Sequence, residues 1–208
     1  MLINDYRTDP PYAALMTRLV ELAGKRPFDV IGIQSHMHGG AWTNTRIWEV
    51  CERFAKFGVP LHFTETTILS GKRGWEMARK GEPWLSTAEG EKYQAENVER
   101  FYTMLFSHPA VAALTWWDFT DRGAWQRAPA GFLRADLSPK PAYESLRHLI
   151  KEKWWTRTKV KTNEKGKAHL RAFLGEHQVT VRLETEQKAT ERLSLQKGAS
   201  NRVTVTLP

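Results

Sequence analysis

Along the first 150 positions, apolar residues fall into two kinds of segment that alternate. Tyr12, Leu15, Met16, Leu19, Val20 and Ala23 recur at the spacing of one helical face. Pro11 suits the first turn of that helix and Gly24 its end. Val30-Ile31-Gly32-Ile33-Gln34 is a continuous apolar run of the buried-strand kind. A second helical face carries Ile47, Val50, Cys51, Phe54 and Ala55 and closes at Gly58 and Pro60, before the strand Leu61-His62-Phe63-Thr64-Glu65. A long loop with Trp75 and Trp84 leads to Ser86-Thr87-Ala88-Glu89, a capping-box pattern. It opens a helix bearing Val98, Phe101, Tyr102, Leu105 and Phe106. A fourth strand covers 111–117, and a last helix after Pro139 carries Ala142, Leu146, Leu149 and Ile150. With Leu2-Ile3-Asn4 ahead of the first helix, this order predicts an α/β chain of four strand–helix units, a parallel sheet with right-handed crossovers.

A doubly wound sheet and a barrel both fit that order. No glycine-rich phosphate loop follows any strand, which weakens the nucleotide-binding version. Polar residues cluster instead where the strands end: Asn4-Asp5-Tyr6, Gln34-Ser35-His36, Thr64-Glu65 and Trp117-Asp118. In (β/α)8 barrels that rim carries the active site.

Beyond the Trp154-Trp155 pair the period changes. Alternating runs at 156–162, 168–174, 178–185, 192–196 and 202–207, with Asn163-Glu164-Lys165-Gly166 as a turn, predict five short strands in a small all-β sandwich. The expected division is therefore a barrel segment over 1–153 and a β-domain over 154–208.

The net charge of +8 raises the question of an anionic partner, but Lys and Arg are interspersed with Asp and Glu and form no long run. The basic balance reads as a solvated surface, with no nucleic-acid partner. Nine Trp is a high number, and flat apolar rings suit either a rich core or a cleft that stacks flat ligands such as sugar rings. The single cysteine, Cys51, forms no intrachain disulfide and falls on an apolar helix face. No stretch reads as a signal peptide or as a membrane span. Because the chain opens directly on an apolar strand, an upstream part carrying any export signal is expected.

Glu65 ends a buried strand among Trp and His, a position suited to nucleophilic or acid/base work on a sugar. His36 lies one strand earlier on the same rim, close enough to orient that carboxylate and tune its pKa. Trp117 and Trp125 bracket the fourth strand end and could floor a pyranose site; Trp116 points away from Trp117, so one of that pair is expected in the core and the other in the cleft. A rival arrangement is a metal-dependent hydrolase built on the His-x-His pair His36 and His38, with His62 and Asp118 as further ligands.

Ile3-Asn4-Asp5-Tyr6, Gly32-Ile33-Gln34-Ser35-His36, Phe63-Thr64-Glu65 and the run from Trp117 through Thr120-Asp121 to Trp125 resemble, in order, strands five to eight of glycoside hydrolase family 10, the endo-1,4-β-xylanase family. Asp136-Leu137-Ser138-Pro139-Lys140-Pro141-Ala142-Tyr143 resembles the segment before the family's last helix. The resemblance covers about residues 1–150. It implies the C-terminal half of a (β/α)8 barrel, retaining hydrolysis of β-1,4-xylan, a polysaccharide or oligosaccharide partner, and no cofactor or metal. It implies Glu65 as nucleophile, Gln34 and His36 as its neighbours at the sugar, Trp117 and Trp125 around that sugar, Tyr6 as an aromatic on the leaving-group side, and Asn4 as a polar cleft residue. Two departures accompany it. The family's Asp two places after the nucleophile is Thr67 here, and the family's acid/base Glu belongs to strand four, outside the match. Asp5, Asp118 and Asp121 share the rim without matching that acid.

The tail motifs Thr162-Asn163-Glu164-Lys165-Gly166 and Phe173-Leu174-Gly175 are similar to carboxypeptidase-regulatory-like or fibronectin-like modules, which implies a spacer or glycan-binding role. The expected parent is secreted or periplasmic. An isolated half-barrel is expected to self-associate or to pair with the missing N-terminal half. A non-catalytic carbohydrate-binding remnant is the remaining alternative.

Overall fold

The computed structural model describes residues 1–79, 83–183 and 187–207. Two compact units divide the chain, Met1–Leu149 and Ile150–Pro208.

In the first unit the strands β1 (Leu2–Asp5), β2 (Val30–Met37), β3 (Leu61–Ile68) and β4 (Val111–Trp116) alternate with the helices α1 (Pro10–Ala23), α2 (Asn44–Ala55), α3 (Ala88–Ser107) and α4 (Pro141–His148). The sheet is parallel throughout, in the order β1-β2-β3-β4. Local chemistry sets the helix starts. Asp9 accepts from the Tyr12 N–H ahead of the prolines of α1, and Thr43 accepts from Arg46 N at the start of α2. In α3 the cap is Thr87, which accepts from Gly90 N. Ser86, one place earlier than the observed cap, is engaged elsewhere: its hydroxyl donates to Glu91 Oε1 at 3.1 Å.

The core lies between the sheet and the helices. Ile31, Ile33 and Met37 of β2 and Leu61 and Phe63 of β3 meet Ile47, Val50, Cys51 and Phe54 of α2 and Val98, Phe101 and Leu105 of α3, all buried. Burying each large side chain contributes about 1.5–3 kcal/mol relative to exposure. Burial pushes the Cys51 thiol up to about 12, so it is an inert core group. Helix α1 differs from the single stripe expected. Tyr12 and Met16 are buried and Val20 packs on the core, whereas Leu15 and Leu19 are exposed. The central strand β2 is mostly buried, but β1 and β4 are only half covered, as befits the outer strands of the sheet.

One irregularity positions the chemistry. Residues paired across a parallel sheet point to the same face. Ile33 pairs with Phe63, but Gln34 pairs with Glu65, so Thr64 is an extra residue on β3. Simple alternation from Leu61 and Phe63 would aim Glu65 at the helix-packed face. The bulge turns Glu65 and Thr67 onto the face of Gln34 and His36.

The second unit differs from the five strands expected. Its described residues hold one antiparallel hairpin, β5 (Gly175–Arg182) paired with β6 (Lys188–Leu195). The Asn163–Gly166 turn is formed, with Gly166 in the left-handed region. The runs at 156–162, 168–174 and 202–207 join no ladder. The large apolar residues of the first two runs, Val160, Leu170, Phe173 and Leu174, remain exposed. Burial of one face is what fixes a strand in a sheet, and these large side chains of 156–162 and 168–174 find no such face among the described residues.

Candidate active site

The strand ends of the first unit converge on Glu65. Its Oε2 lies 3.1 Å from His36 Nε2, and its Oε1 accepts a long bond of 3.4 Å from Asn4 Nδ2. Asn4 is held in turn by the bulge residue, whose Thr64 hydroxyl donates to Asn4 Oδ1 at 2.8 Å. Gly32 makes room for this. A Cβ there would stand 2.7 Å from Asn4 Oδ1. On the other side of the His36 ring, Nδ1 lies 3.4 Å from the hydroxyl of Thr67. The position where a carboxylate was expected to support the histidine therefore supports it weakly, through a neutral group. The side chains of His36 and Glu65 are only 9% and 17% exposed, so the pair is shielded but reachable.

Aromatic rings surround the pair. Trp125 lies 4.7 Å from the His36 ring and tilted to it, and Trp117 approaches edge-on at 6.0 Å. Asp118 pins the loop that carries Trp125, because its Oδ1 accepts from Trp125 N at 3.0 Å. Burial raises the Asp118 pKa, opposed by that N–H and by His36. Trp116 turns the other way, packs on Phe132 at 4.4 Å and donates its indole N–H to Ala130 O. A cleft of about 710 Å³ adjoins His36 and Gln34; Tyr6, Trp75 and Trp125 also line it. Asn4, Tyr6, Gln34, His36, Glu65, Trp117 and Trp125 thus lie at or beside this rim, whereas His62 sits at the opposite end of β3.

Three features take roles that the sequence reading did not assign them. His38 is fully buried and stacked on Trp75 at 4.5 Å, with Trp84 and Trp125 also against it. Among the described residues no group meets full hydrogen-bond geometry with either ring nitrogen; Gln126 comes nearest. Burial and the neighbouring His36 drive its pKa down to about 4, offset only in part by Gln126. It is the support under the exposed Trp75 and Trp125. The two histidine rings sit 6.2 Å apart and edge-on, and among the described residues no three His, Cys, Asp or Glu side chains converge on a metal position. The second feature is the Trp75 loop itself, whose Trp was the available signal. The third is a buried ionic knot behind the rim. Lys140, fully buried, reaches Asp121 and the Ser70 hydroxyl, each at 2.8 Å. Glu91 accepts a two-point bond from Arg134. Asp121 also accepts from Gly131 N, and Asp5 accepts from Arg7 N.

This arrangement coincides with a family match. The sequence model of Glycosyl hydrolase family 10 matches residues 1–149. The chain belongs to glycosyl hydrolase family 10. Within the family, endo-1,4-beta-xylanase B of Thermotoga neapolitana is 29% identical over 136 residues, covering 61% of this chain and 35% of that protein. The anti-sigma-I factor RsgI6 of Acetivibrio thermocellus is also 29% identical, over 171 residues, covering 82% of this chain and 20% of that protein. Among solved structures, xylanase 10B of Thermotoga petrophila, determined with xylobiose, superposes with a TM-score of 0.59 at 25% identity. It covers 73% of this chain and 46% of that one. The family 10 chain thus spans less than half the length of each of these relatives.

Proposed function

We propose that the first unit forms strands five to eight of a (β/α)8 barrel and carries the nucleophile side of a retaining β-1,4-xylanase site. The observation that carries this reading is the Glu65 carboxylate. It stands at the end of β3, turned by a bulge onto the His36 face and held by His36 and Asn4 beside an aromatic-lined cleft. Family membership and the relatives named xylanases support the substrate class.

In this reading Glu65 attacks the anomeric carbon and forms a glycosyl ester while the leaving oxygen takes a proton from a second carboxyl group about 5–5.5 Å away. Water then cleaves the ester, with the second group acting as base. His36 holds the carboxylate in line, and Trp117 and Trp125 bound the sugar ring. Asp5, Asp118 and Asp121 do not fill the second role. Asp5 accepts from a turn N–H, Asp118 fixes the Trp125 loop, and Asp121 is paired with Lys140. The acid/base group is supplied by a strand-four segment outside residues 1–149, and a parent acting on a plant polymer is exported. Residues 150–208 form an accessory β-module that spaces the barrel or helps it hold polymer.

The test uses substrates of two kinds. An aryl β-xylobioside with a strongly acidic phenol needs no protonation of its leaving group, so the 208-residue chain should turn it over slowly while leaving xylan almost untouched. Glu65→Gln should lower the aryl rate by more than about 10⁴-fold. Equal aryl rates for the variant and the unaltered chain would remove Glu65 as nucleophile. Binding without any aryl turnover would leave a carbohydrate-binding remnant.

A further inference from the structure

We propose that the two runs joined by the Asn163–Gly166 turn form a cationic arm that binds a linear polyuronate, a polysaccharide with a carboxylate on each ring. The proposal rests on residues 150–208 being an accessory module that holds polymer, and it names the chemistry of that polymer.

Charge is divided unevenly between the two units. Residues 150–208 hold 13 Lys and Arg against 6 Asp and Glu, which is +7 of the chain's +8. Within them, residues 157–171 hold six Lys and Arg against one acidic residue, Glu164. Along the whole chain the two signs intermix; in this stretch they do not.

Local structure gathers these cations. Gly166 N donates to Asn163 O at 2.9 Å, Asn163 N donates to Lys167 O at 2.8 Å, and Gly166 has a φ of +68°. This is a three-residue hairpin connection, and it sets Asn163 opposite Lys167. At the far end Phe173 N donates to the Thr156 hydroxyl at 3.0 Å, so the two runs meet again there. Arg157, Lys159 and Lys161 alternate along one run, and Lys167, His169 and Arg171 along the other. Alternate residues of extended backbone share a face. With Asn163 opposite Lys167, that parity assigns both rows to one face of the arm. All six side chains are exposed. Lys159, Lys161, Lys167 and Arg171 make no side-chain hydrogen bond or ion pair among the described residues.

Like charges gathered on one face repel, so the arm is a surface that an anion stabilises. Its cations form rows and do not converge, which suits an anion repeated along a chain and not a single small one. Single-stranded nucleic acid is held by aromatic rings set among the cations, and residues 157–171 include no Trp, Tyr or Phe. Trp155, just outside, already has the Arg157 guanidinium over its ring at 5.3 Å. Carboxylates on successive sugar rings supply the repeated charge without bases to stack, and they belong to the same class of polymer as the substrate proposed for the first unit.

Biolayer interferometry tests this with the 208-residue chain against immobilised polygalacturonate, the same polymer fully methyl-esterified, carboxyl-free xylan, and single-stranded DNA. Polygalacturonate should bind, and its affinity should fall about tenfold or more between 50 mM and 200 mM NaCl. The methyl ester keeps the rings and removes the charge, so it should not bind. Lys159→Gln/Lys161→Gln/Lys167→Gln/Arg171→Gln should lose about tenfold or more in affinity for polygalacturonate and keep its affinity for xylan. Arg182→Gln/Lys188→Gln/Arg192→Gln/Lys197→Gln removes the same net charge from outside the arm and should change the affinity by less than about threefold. Equal binding of the two forms of polygalacturonate would overturn the proposal, as would equal losses in the two quadruple variants. DNA bound more tightly than polygalacturonate, at equal concentration of charge, would overturn the choice of ligand. Xylan binding without polygalacturonate binding would overturn this proposal and leave the polymer-holding reading standing; a folded chain that binds neither polymer would overturn both.

Discussion

Glu65 stands level with Gln34, not with Ser35, because Thr64 is an extra residue in β3. Because Thr64 is taken up as a bulge and not as a paired residue, the carboxylate stays on the Gln34 face of the sheet. A strand that slips by one residue moves every following side chain to the opposite face. Thr64→Val keeps the extra residue and removes the hydroxyl that orders Asn4 beside Glu65. Turnover of an activated aryl xylobioside should fall by about fivefold or more. Circular dichroism would establish that the sheet persists, and full activity in the folded variant would show that the Thr64–Asn4 contact does not orient Glu65.

The alternation of strand and helix was legible because both units of period, two and near four, are written in apolar residues from Ile3 to Leu149. The rim residues were legible because polar side chains end apolar strands. Three things were not. The bulge leaves no compositional mark, since Phe63-Thr64-Glu65 reads as ordinary alternation. The Lys140–Asp121 pair joins positions far apart in sequence, and a lysine with no exposed surface cannot be told from a solvated one by its neighbours along the chain. In the C-terminal unit, alternation alone does not say whether a run finds a sheet to pair with: Leu170, Phe173 and Leu174 are apolar yet exposed.

His38 makes acid stability a readout of the aromatic platform. Its pKa is near 4 in the folded chain against an ordinary value of 6.5, with burial as the main cause and His36 next. The unfolded chain therefore binds the extra proton first as pH falls. The stabilising contribution is complete above pH 6.5 and is lost progressively down to about pH 4. Its full size is on the order of 3 kcal/mol. His38→Phe keeps a ring against Trp75 and removes the titration. Thermal melts between pH 7 and pH 4 should show a shallower decline for the variant, and parallel curves would contradict the buried neutral state.

Lys140→Met should destabilise the chain by about 3 kcal/mol, because it leaves Asp121 charged and without its partner in a site with little water. The double variant Lys140→Met/Asp121→Leu should recover most of that loss. Urea unfolding of the three proteins measures the coupling. Additive losses would mean that the two side chains do not act as a pair.

The outer edges of β1 and β4 have no ladder partner among the described residues. Open strand edges invite association through their main-chain groups. Light scattering on the 208-residue chain should give a mass above that of the monomer, falling toward the monomer on dilution. A strictly monomeric chain at high concentration would show that these edges are protected.

The central claim is that Glu65 is the nucleophile of a retaining glycosidase site. A 2-deoxy-2-fluoro-β-xylobioside with a dinitrophenyl leaving group tests it directly. The leaving group departs without an acid, and the fluorine slows hydrolysis of the ester that forms. Incubation with the 208-residue chain, followed by peptide mass mapping, should place one glycosyl adduct on Glu65. Excess xylobiose should suppress the adduct, and Glu65→Gln should abolish it. A folded chain that takes no label, or takes it on Asp118 or Asp121, would contradict the account.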